Sequence, residues 1–253
     1  MIGSFNFNNV ESSYFSLVCK SVKRPLLPAL KVKRIELPVT SGAYDFDDDE
    51  YSMRSVTMKI AYIGTSYEEL RTRARSIAAW LSTGVFARLI INDEPDKYYL
   101  AKVTSDTDLE SLWESGSADI VFDCQPFAYS ITGQVLPFAV AGLTNYAFTN
   151  PGNRSINYKS PQGSKFEIQV VGTFSTLVLT LNGNSITYGT AVNGTLTIDN
   201  IEMEAEVGGV NKFDKLTGDI DTFLQIVPGG NTLTVDGTNL NVTVTISYYP
   251  MWI

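Results

Sequence analysis

The 253-residue chain contains no histidine. That absence removes Ser-His-Asp and Cys-His activation of a nucleophile, His-bearing zinc sites, and the side chain best matched to proton transfer near neutral pH. Metallohydrolases and ordinary esterases are disfavoured, whereas carboxylate chemistry and oxygen-only metal sites survive. Cysteine is nearly as scarce. Cys19 and Cys124 stand more than a hundred residues apart, fit no CxxC or zinc spacing, and read as two independent buried thiols. Long apolar runs are missing as well: residues 124–153 and 168–198 carry no charge but are broken by Pro, Gly, Asn and Thr. Neither reads as a membrane helix, and MIGSFNFNNVESSYF lacks the basic-then-apolar order of a signal peptide. The expectation is synthesis in the cytoplasm and no membrane insertion.

Positive charge is in short supply too, with 19 Lys and Arg against 27 Asp and Glu, a formal net charge of -8. Residues 1–130 hold 14 basic and 18 acidic groups and residues 131–253 hold 5 and 9, so each part carries -4. Global steering towards nucleic acid is therefore not expected, although KSVKRPLLPALKVKR at residues 20–34 concentrates six positive side chains.

What the chain does have is length for a sizeable core in one large domain or two smaller ones. Composition shifts near residue 130: 5 glycines precede it, and 14 glycines, 17 threonines and 12 asparagines follow it. The second part predicts many short antiparallel strands joined by tight turns, with candidates at residues 165–171, 176–181, 185–188, 195–198, 223–227, 231–235 and 241–248. Turn signals at Asn182-Gly183, Asn193-Gly194, Pro228-Gly229-Gly230 and Asp236-Gly237 suit a β-sandwich.

The first part predicts one strong helix over residues 66–82. Thr65 or Ser66 opens it, each with an acid three positions later; Leu70, Ala74, Ile77, Ala78 and Leu81 form its apolar stripe, and Gly84 ends it. Strands are expected at 55–61, at 87–91 and 98–103 around the turn 92–96, and at 118–124, where Pro126 should stop the ladder or mark an edge.

Chemically suggestive residues acquire little positional support. The acidic run at 45–50 departs from an EF-hand, with Glu50 where glycine is required and Val56 where the bidentate Glu belongs. Asp106, Asp108 and Glu110 form one carboxylate cluster and Glu202, Glu204 and Glu206 another, but spacing alone does not make a glycosidase pair. Tyr146, Tyr158, Tyr188, Trp252 and the Asn-rich turns supply residue types used in sugar binding, and serve equally at sheet edges or subunit contacts. Trp80 and Trp113 read as core or interface anchors. Pro25 and Pro28 rigidify an apolar arm carrying Leu26, Leu27 and Leu30, and the arm's lysines could complement the acidic loop of a neighbouring copy.

The order of segments carries a resemblance. FNFNN, GAYDFDDDEYSMRSVTMKIAYIG, YEELRTRARSIAAWL, LIINDEPDKYYLAKV and ADIVFDCQPFAYS are followed by TNPGNRSINYKSP, LTIDN and VPGGNTLTVDG. Over essentially its whole length the chain resembles the distal tail proteins of siphophages that infect Gram-positive bacteria. The resemblance implies a mainly β fold with one strong helix: a tail-tube-like, ring-forming β domain at residues 1–133, then a galectin-like or carbohydrate-binding-module-like β-sandwich at 134–253, whose last residues could pack back on the first domain. It further implies a non-enzymatic virion protein of the baseplate or tail tip, with no catalytic, cofactor-binding or metal-binding residues and no cofactor. Its copies would form a homohexameric ring joining the tail tube protein to the adsorption apparatus, beside the tape-measure protein and a tail-tip fibre or hub protein. DNA would pass through without specific binding during ejection. The other reading is a carbohydrate-binding adhesion module contacting cell-wall sugars during host adsorption. Helix 66–82 would give each subunit a rigid body, with loop 42–53 and arm 23–34 available to neighbouring subunits or the tube.

Overall fold

The computed structural model describes residues 3–32, 34–36, 41, 43–45, 50–64, 66–104, 113 and 116–253. The chain divides into two compact units, Met1–Ala128 together with Ile253, and Tyr129–Trp252.

The first unit is built from β1 (Phe5–Phe7), β2 (Val10–Glu11), a 3-10 turn (Ser12–Phe15), β3 (Leu17–Lys23), β4 (Arg34–Glu36), β5 (Ala43–Asp45), β6 (Arg54–Tyr62), α1 (Tyr67–Leu81), β7 (Ala87–Ile91), β8 (Lys97–Val103) and β9 (Ala118–Ser130). Its main sheet runs β2-β1-β7-β8-β9-β6-β3, and β4 and β5 form a separate pair among the described residues. Just before β1, Gly3 and Cys19 exchange both backbone hydrogen bonds, at 3.3 and 2.7 Å. The outer edge of β3 is covered there and the sheet curls back on itself, which removes an unpaired edge.

Strand alternation supplies the core. Val56, Met58 and Ile60 of β6 are buried as their period-2 spacing predicts, and Phe5, Phe7, Leu17, Leu89 and Phe122 join them. Trp80 of α1 stacks on Phe5 at 5.7 Å and on Phe15 at 4.8 Å between ring centroids. Burying each such large apolar side chain contributes about 1.5–3 kcal/mol.

Helix α1 begins where a hydroxyl satisfies an otherwise unpaired donor: Ser66 Oγ accepts the Glu69 N–H at 3.2 Å. Glu68 and Glu69 in the first turn complement the positive end of the helix dipole. The buried stripe differs from the expected one. Leu70, Trp80 and Leu81 are buried, Ala74 and Ile77 half-buried, and Ala78 exposed. The indole of Trp80 takes the buried place against Phe5 and Phe15, and Ala78 is left on the exposed side. Thr65, the other expected cap, lies outside the described residues.

The predicted hairpin is present, with Ala87 opposite Ala101 and Leu89 opposite Tyr99. Pro126 does not stop its strand, since β9 continues to Ser130. Pairing with β6 ends at Arg54 opposite Cys124, so the missing proline N–H falls beyond that ladder.

The second unit holds β10 (Gln134–Val140), β11 (Thr144–Asn150), β12 (Phe166–Phe174), β13 (Thr176–Leu181), β14 (Asn184–Tyr188), β15 (Val192–Asp199), β16 (Glu204–Val207), β17 (Val210–Asn211), β18 (Leu216–Gly218), β19 (Gly229–Thr238), β20 (Asn241–Tyr248) and β21 (Met251–Trp252). One sheet runs β10-β20-β12-β15-β16-β17 and the other β11-β19-β13-β14-β18. They form a sandwich whose inner faces meet at Phe148 and Tyr248, and at Phe174 and Tyr188, both ring pairs 6.0 Å apart. Tyr248 closes the contact by donating its hydroxyl to the Thr149 carbonyl at 3.2 Å.

Residues 223–227, expected as a short strand, make a single bridge between Ile226 and Ile156. Asparagine side chains take the backbone groups that a strand would use: Asn184 donates to the Phe223 carbonyl at 2.6 Å, Asn182 to that of Gln225 at 2.9 Å, and Asn200 accepts from the Leu224 N–H at 3.2 Å. Close approach requires glycine at position 152, where a Cβ would stand 2.5 Å from the Met251 carbonyl oxygen and 2.8 Å from its nitrogen.

Candidate assembly surface

At Lys23 the chain leaves β3 and forms a short projecting arm. Arg24 pins its root to the β7–β8 turn, with Nη2 3.0 Å from Asp93 Oδ2 and Nη1 2.9 Å from Glu94 Oε2. The forked guanidinium matches two carboxylates in a way a lysine would not. Pro25 and Pro28 then restrict the backbone around Leu26 and Leu27. Beyond them, the Ser52 N–H donates to Ala29 and the Lys31 N–H to Glu50, at 2.7 and 2.8 Å, and Lys31 Nζ pairs with Glu50 Oε2 at 3.1 Å. The arm is thus held at both ends while its tip faces solvent. Leu26 is 90% exposed and Leu27 60%, with Leu30 and Val32 also exposed.

Behind the arm, Arg54 is buried. Its Nε donates to the Pro126 carbonyl at 2.8 Å, Nη2 donates to the same oxygen, and the guanidinium lies over the Tyr99 ring at 5.2 Å from the centroid. Burial pulls the guanidinium below its ordinary range and pushes the Tyr99 hydroxyl up. Tyr51, next to the arm's return, packs edge-on against Phe127 at 5.5 Å. These contacts fasten the base of the arm to β9 and show no reacting geometry.

The thiols are free and buried. Along β6, Cys19 lies opposite Ile60 and Cys124 opposite Arg54, a separation of about 20 Å at roughly 3.3 Å per residue, which excludes a disulfide. Burial pushes Cys124 up to about 12, so it is an inert thiol.

Of the acidic run 45–50, residues 46–49 lie outside the described residues, as do Asp106, Asp108 and Glu110; Glu50 is the partner of Lys31. Glu204 and Glu206 share one face of β16, paired with Asp199 and Thr197 of β15, and Glu202 lies in the preceding turn. Among the described residues, no three His, Cys, Asp or Glu side chains converge on a possible metal position.

The aromatic side chains considered for sugar do not converge on an open platform among the described residues. Tyr188 is buried, and Tyr146 has one face covered by Phe138 at 4.1 Å and an interplanar angle of 3°. Tyr158 and Trp252 are half-buried. Asparagine is structural: Asn231 accepts from the Val227 N–H and from Asn182, and donates to the Val227 and Gly229 carbonyls, which uses the amide completely. Asn150 similarly accepts from Gly152 and donates to Arg154 and Val227.

The two tryptophans of the first unit separate in role. Trp80 is a core residue whose indole N–H donates to Phe7. Trp113 is 41% exposed and meets the Tyr67 ring at 5.7 Å. Neither the Arg24 clamp nor the Arg54 anchor was legible in the sequence, because the partners of both are 69 and 72 residues away.

Residues 12–124 match the family described as "Phage tail protein RIFT-related domain", and residues 157–252 match "Siphovirus-type tail component, C-terminal domain". No curated protein sequence matches the chain. Among solved structures, the fold is similar to that of SPP1 Dit, described as "a Paradigm of Hub Adsorption Apparatus in Gram-positive Infecting Phages". The TM-score is 0.73 at 12% sequence identity, over 98% of this chain and 99% of that one.

Proposed function

The chain belongs to the siphovirus distal tail (Dit) family, a structural and non-catalytic component of the phage tail, and from that premise we propose that it closes into a six-membered ring at the distal end of the tail. The ring joins the tail tube protein to the adsorption apparatus, next to the tape-measure protein and a tip fibre or hub protein. DNA passes through its centre. The observation that carries this reading is the succession of two tail-component domains on one chain whose full length shares the fold of a hub protein.

Physical features of the chain support the assignment. The net charge of -8 disfavours adhesion of passing phosphate backbone, which suits a conduit. The curled sheet and its packed helix give the first unit a rigid body, and the fastened, apolar-tipped arm offers cohesion that scattered surface ion pairs would not.

Negative-stain microscopy of the purified protein and of tail particles tests the proposal. Six-fold rings with a central passage are expected; monomers that persist at high concentration, with no ring at the tail end, would overturn it.

A further inference from the structure

A strand at the end of a sheet presents a row of backbone donors and acceptors that another chain can pair with, unless something blunts it. Most sheet ends here are blunted. In the first unit β2 is two residues long, and the outer edge of β3 meets Gly3 and is interrupted by a register shift between Cys19 and Ser21. In the second unit β17 and β18 are two and three residues long, and β10 carries Pro137. Strand β11 ends its sheet with none of these devices. It is seven residues, TNYAFTN, without proline, charge or bulge, and it pairs with β19 along its whole length.

The register fixes which groups of β11 point outwards. The Asn182-Gly183 turn makes Leu181 and Asn184 the closing hydrogen-bonded pair of the β13–β14 hairpin, so Thr180 and Val178 bond to β19 through Thr234 and Asp236. The alternate residues of β19, Leu233 and Asn231, then bond to Tyr146 and Phe148 of β11. Asn145, Ala147 and Thr149 are left with their N–H and C=O groups directed away from the sheet, and all three residues are exposed. Among the described residues, the one hydrogen bond to this outward row is from the Tyr248 hydroxyl to the Thr149 carbonyl oxygen, which keeps a second lone pair.

The strand is its own complement. On either side of Ala147 stands an aromatic residue, Tyr146 or Phe148, and beyond it a small polar one, Asn145 or Thr149. A two-fold axis at Ala147 therefore sets matching residues across from one another. Ala147 exchanges both backbone hydrogen bonds with the partner's Ala147, and Asn145 does so with the partner's Thr149. Tyr146 stands across from the partner's Phe148, an aromatic pair of the kind that stabilises adjacent strands. With no charge on β11, two copies meet without the repulsion that a lysine on an edge supplies.

We infer that β11 is a self-pairing edge, through which two copies of this chain join antiparallel over residues 145–149, centred on Ala147, so that one sheet runs on from sandwich to sandwich. The contact is isologous, and so differs from the head-to-tail contact that closes a ring. It does not rest on the ring reading. A single strand pair is smaller than a standard stable interface, so the joining depends on protein concentration.

Introduced cysteines report the register, because both native thiols are buried. Asn145→Cys and Thr149→Cys chains, prepared separately and mixed under mild oxidation, are expected to give a covalent dimer, since the two positions would stand about 5.5 Å apart between Cα atoms, within disulfide reach. Neither chain should dimerise alone, because like positions are displaced by four residues, about 13 Å along the strands. Dimers from one chain as readily as from the mixture, or none from the mixture, would overturn the inference. Rings seen by microscopy without this cross-link would overturn the β11 contact and leave the ring standing, whereas the cross-link without rings would do the reverse. As a second measure, Ala147→Pro added to both chains removes an N–H that β19 does not use, a change that an edge strand tolerates, as β10 does at Pro137. Cross-linking should then fall about tenfold or more with melting unchanged, and an undiminished yield would contradict the pairing.

Discussion

The indole N–H of Trp80 donates to the backbone carbonyl of Phe7 at 2.8 Å, joining the last turn of α1 to the strand at the start of the chain. The same ring stacks on Phe5 and Phe15, so one side chain holds helix, strand and 3-10 turn together. Trp80→Phe keeps most of the apolar contact and leaves the Phe7 carbonyl without its donor. A loss of about 1–3 kcal/mol is expected in urea unfolding, against about 3–5 kcal/mol for Trp80→Ala. Equal losses for the two variants would mean that the hydrogen bond contributes nothing.

Asn231 is a second point of high sensitivity, because its amide accepts twice and donates twice while 3% exposed. Asn231→Asp keeps the shape but removes both donors and buries a charge. It should destabilise the sandwich by about 2 kcal/mol or more at neutral pH. Thermal unfolding of the variant checks this, and a melting temperature equal to that of the parent would contradict the structural role given to the amide.

Arg54 replaced by lysine keeps its charge but loses the fork aimed at Pro126 and the flat contact with Tyr99. A cost of about 1–3 kcal/mol is expected for Arg54→Lys from the urea midpoint. Full stability of that variant would show that a point charge suffices beneath the arm.

Alkali should unfold both units. The ordinary thiol value of 9.0 rises to about 12 for Cys124, and the ordinary phenol value of 10.0 rises to about 12 for Tyr248, in both cases through burial. The folded state holds these groups neutral. Their contribution is therefore complete below pH 9 and is lost as pH rises from about 9 to 12 for the thiol and from about 10 to 12 for the phenol. Urea midpoints should be flat on the neutral side of that window and fall within it, and Cys124→Ala should lessen the fall in the first unit. A midpoint that does not change between about pH 8 and 11 would contradict this.

Local signals made much of the fold legible. Ser66 and Gly84 bracketed α1, alternation placed the buried face of β6, and the polar run 92–96 marked the β7–β8 turn. Less legible was whatever depended on distant partners. Strand β10 contains Pro137 and was not among the expected strands; it sits at the end of its sheet and, among the described residues, pairs with β20, where a missing N–H is tolerated. Residues 223–227 alternate like a strand, yet their backbone groups are taken by Asn182, Asn184 and Asn200 from elsewhere in the sandwich. The apolar arm was readable as a surface feature from its two prolines. Its fastening by Asp93 and Glu94 was not, since only folding brings that turn beside Arg24.

The ring itself is tested most directly by two-dimensional class averages of the purified protein in negative stain, compared with the tail end of intact particles. Six-fold rings enclosing a passage, matching a density at the distal end of the tail, are predicted. A protein that remains monomeric at high concentration, and tails with no such ring, would contradict it.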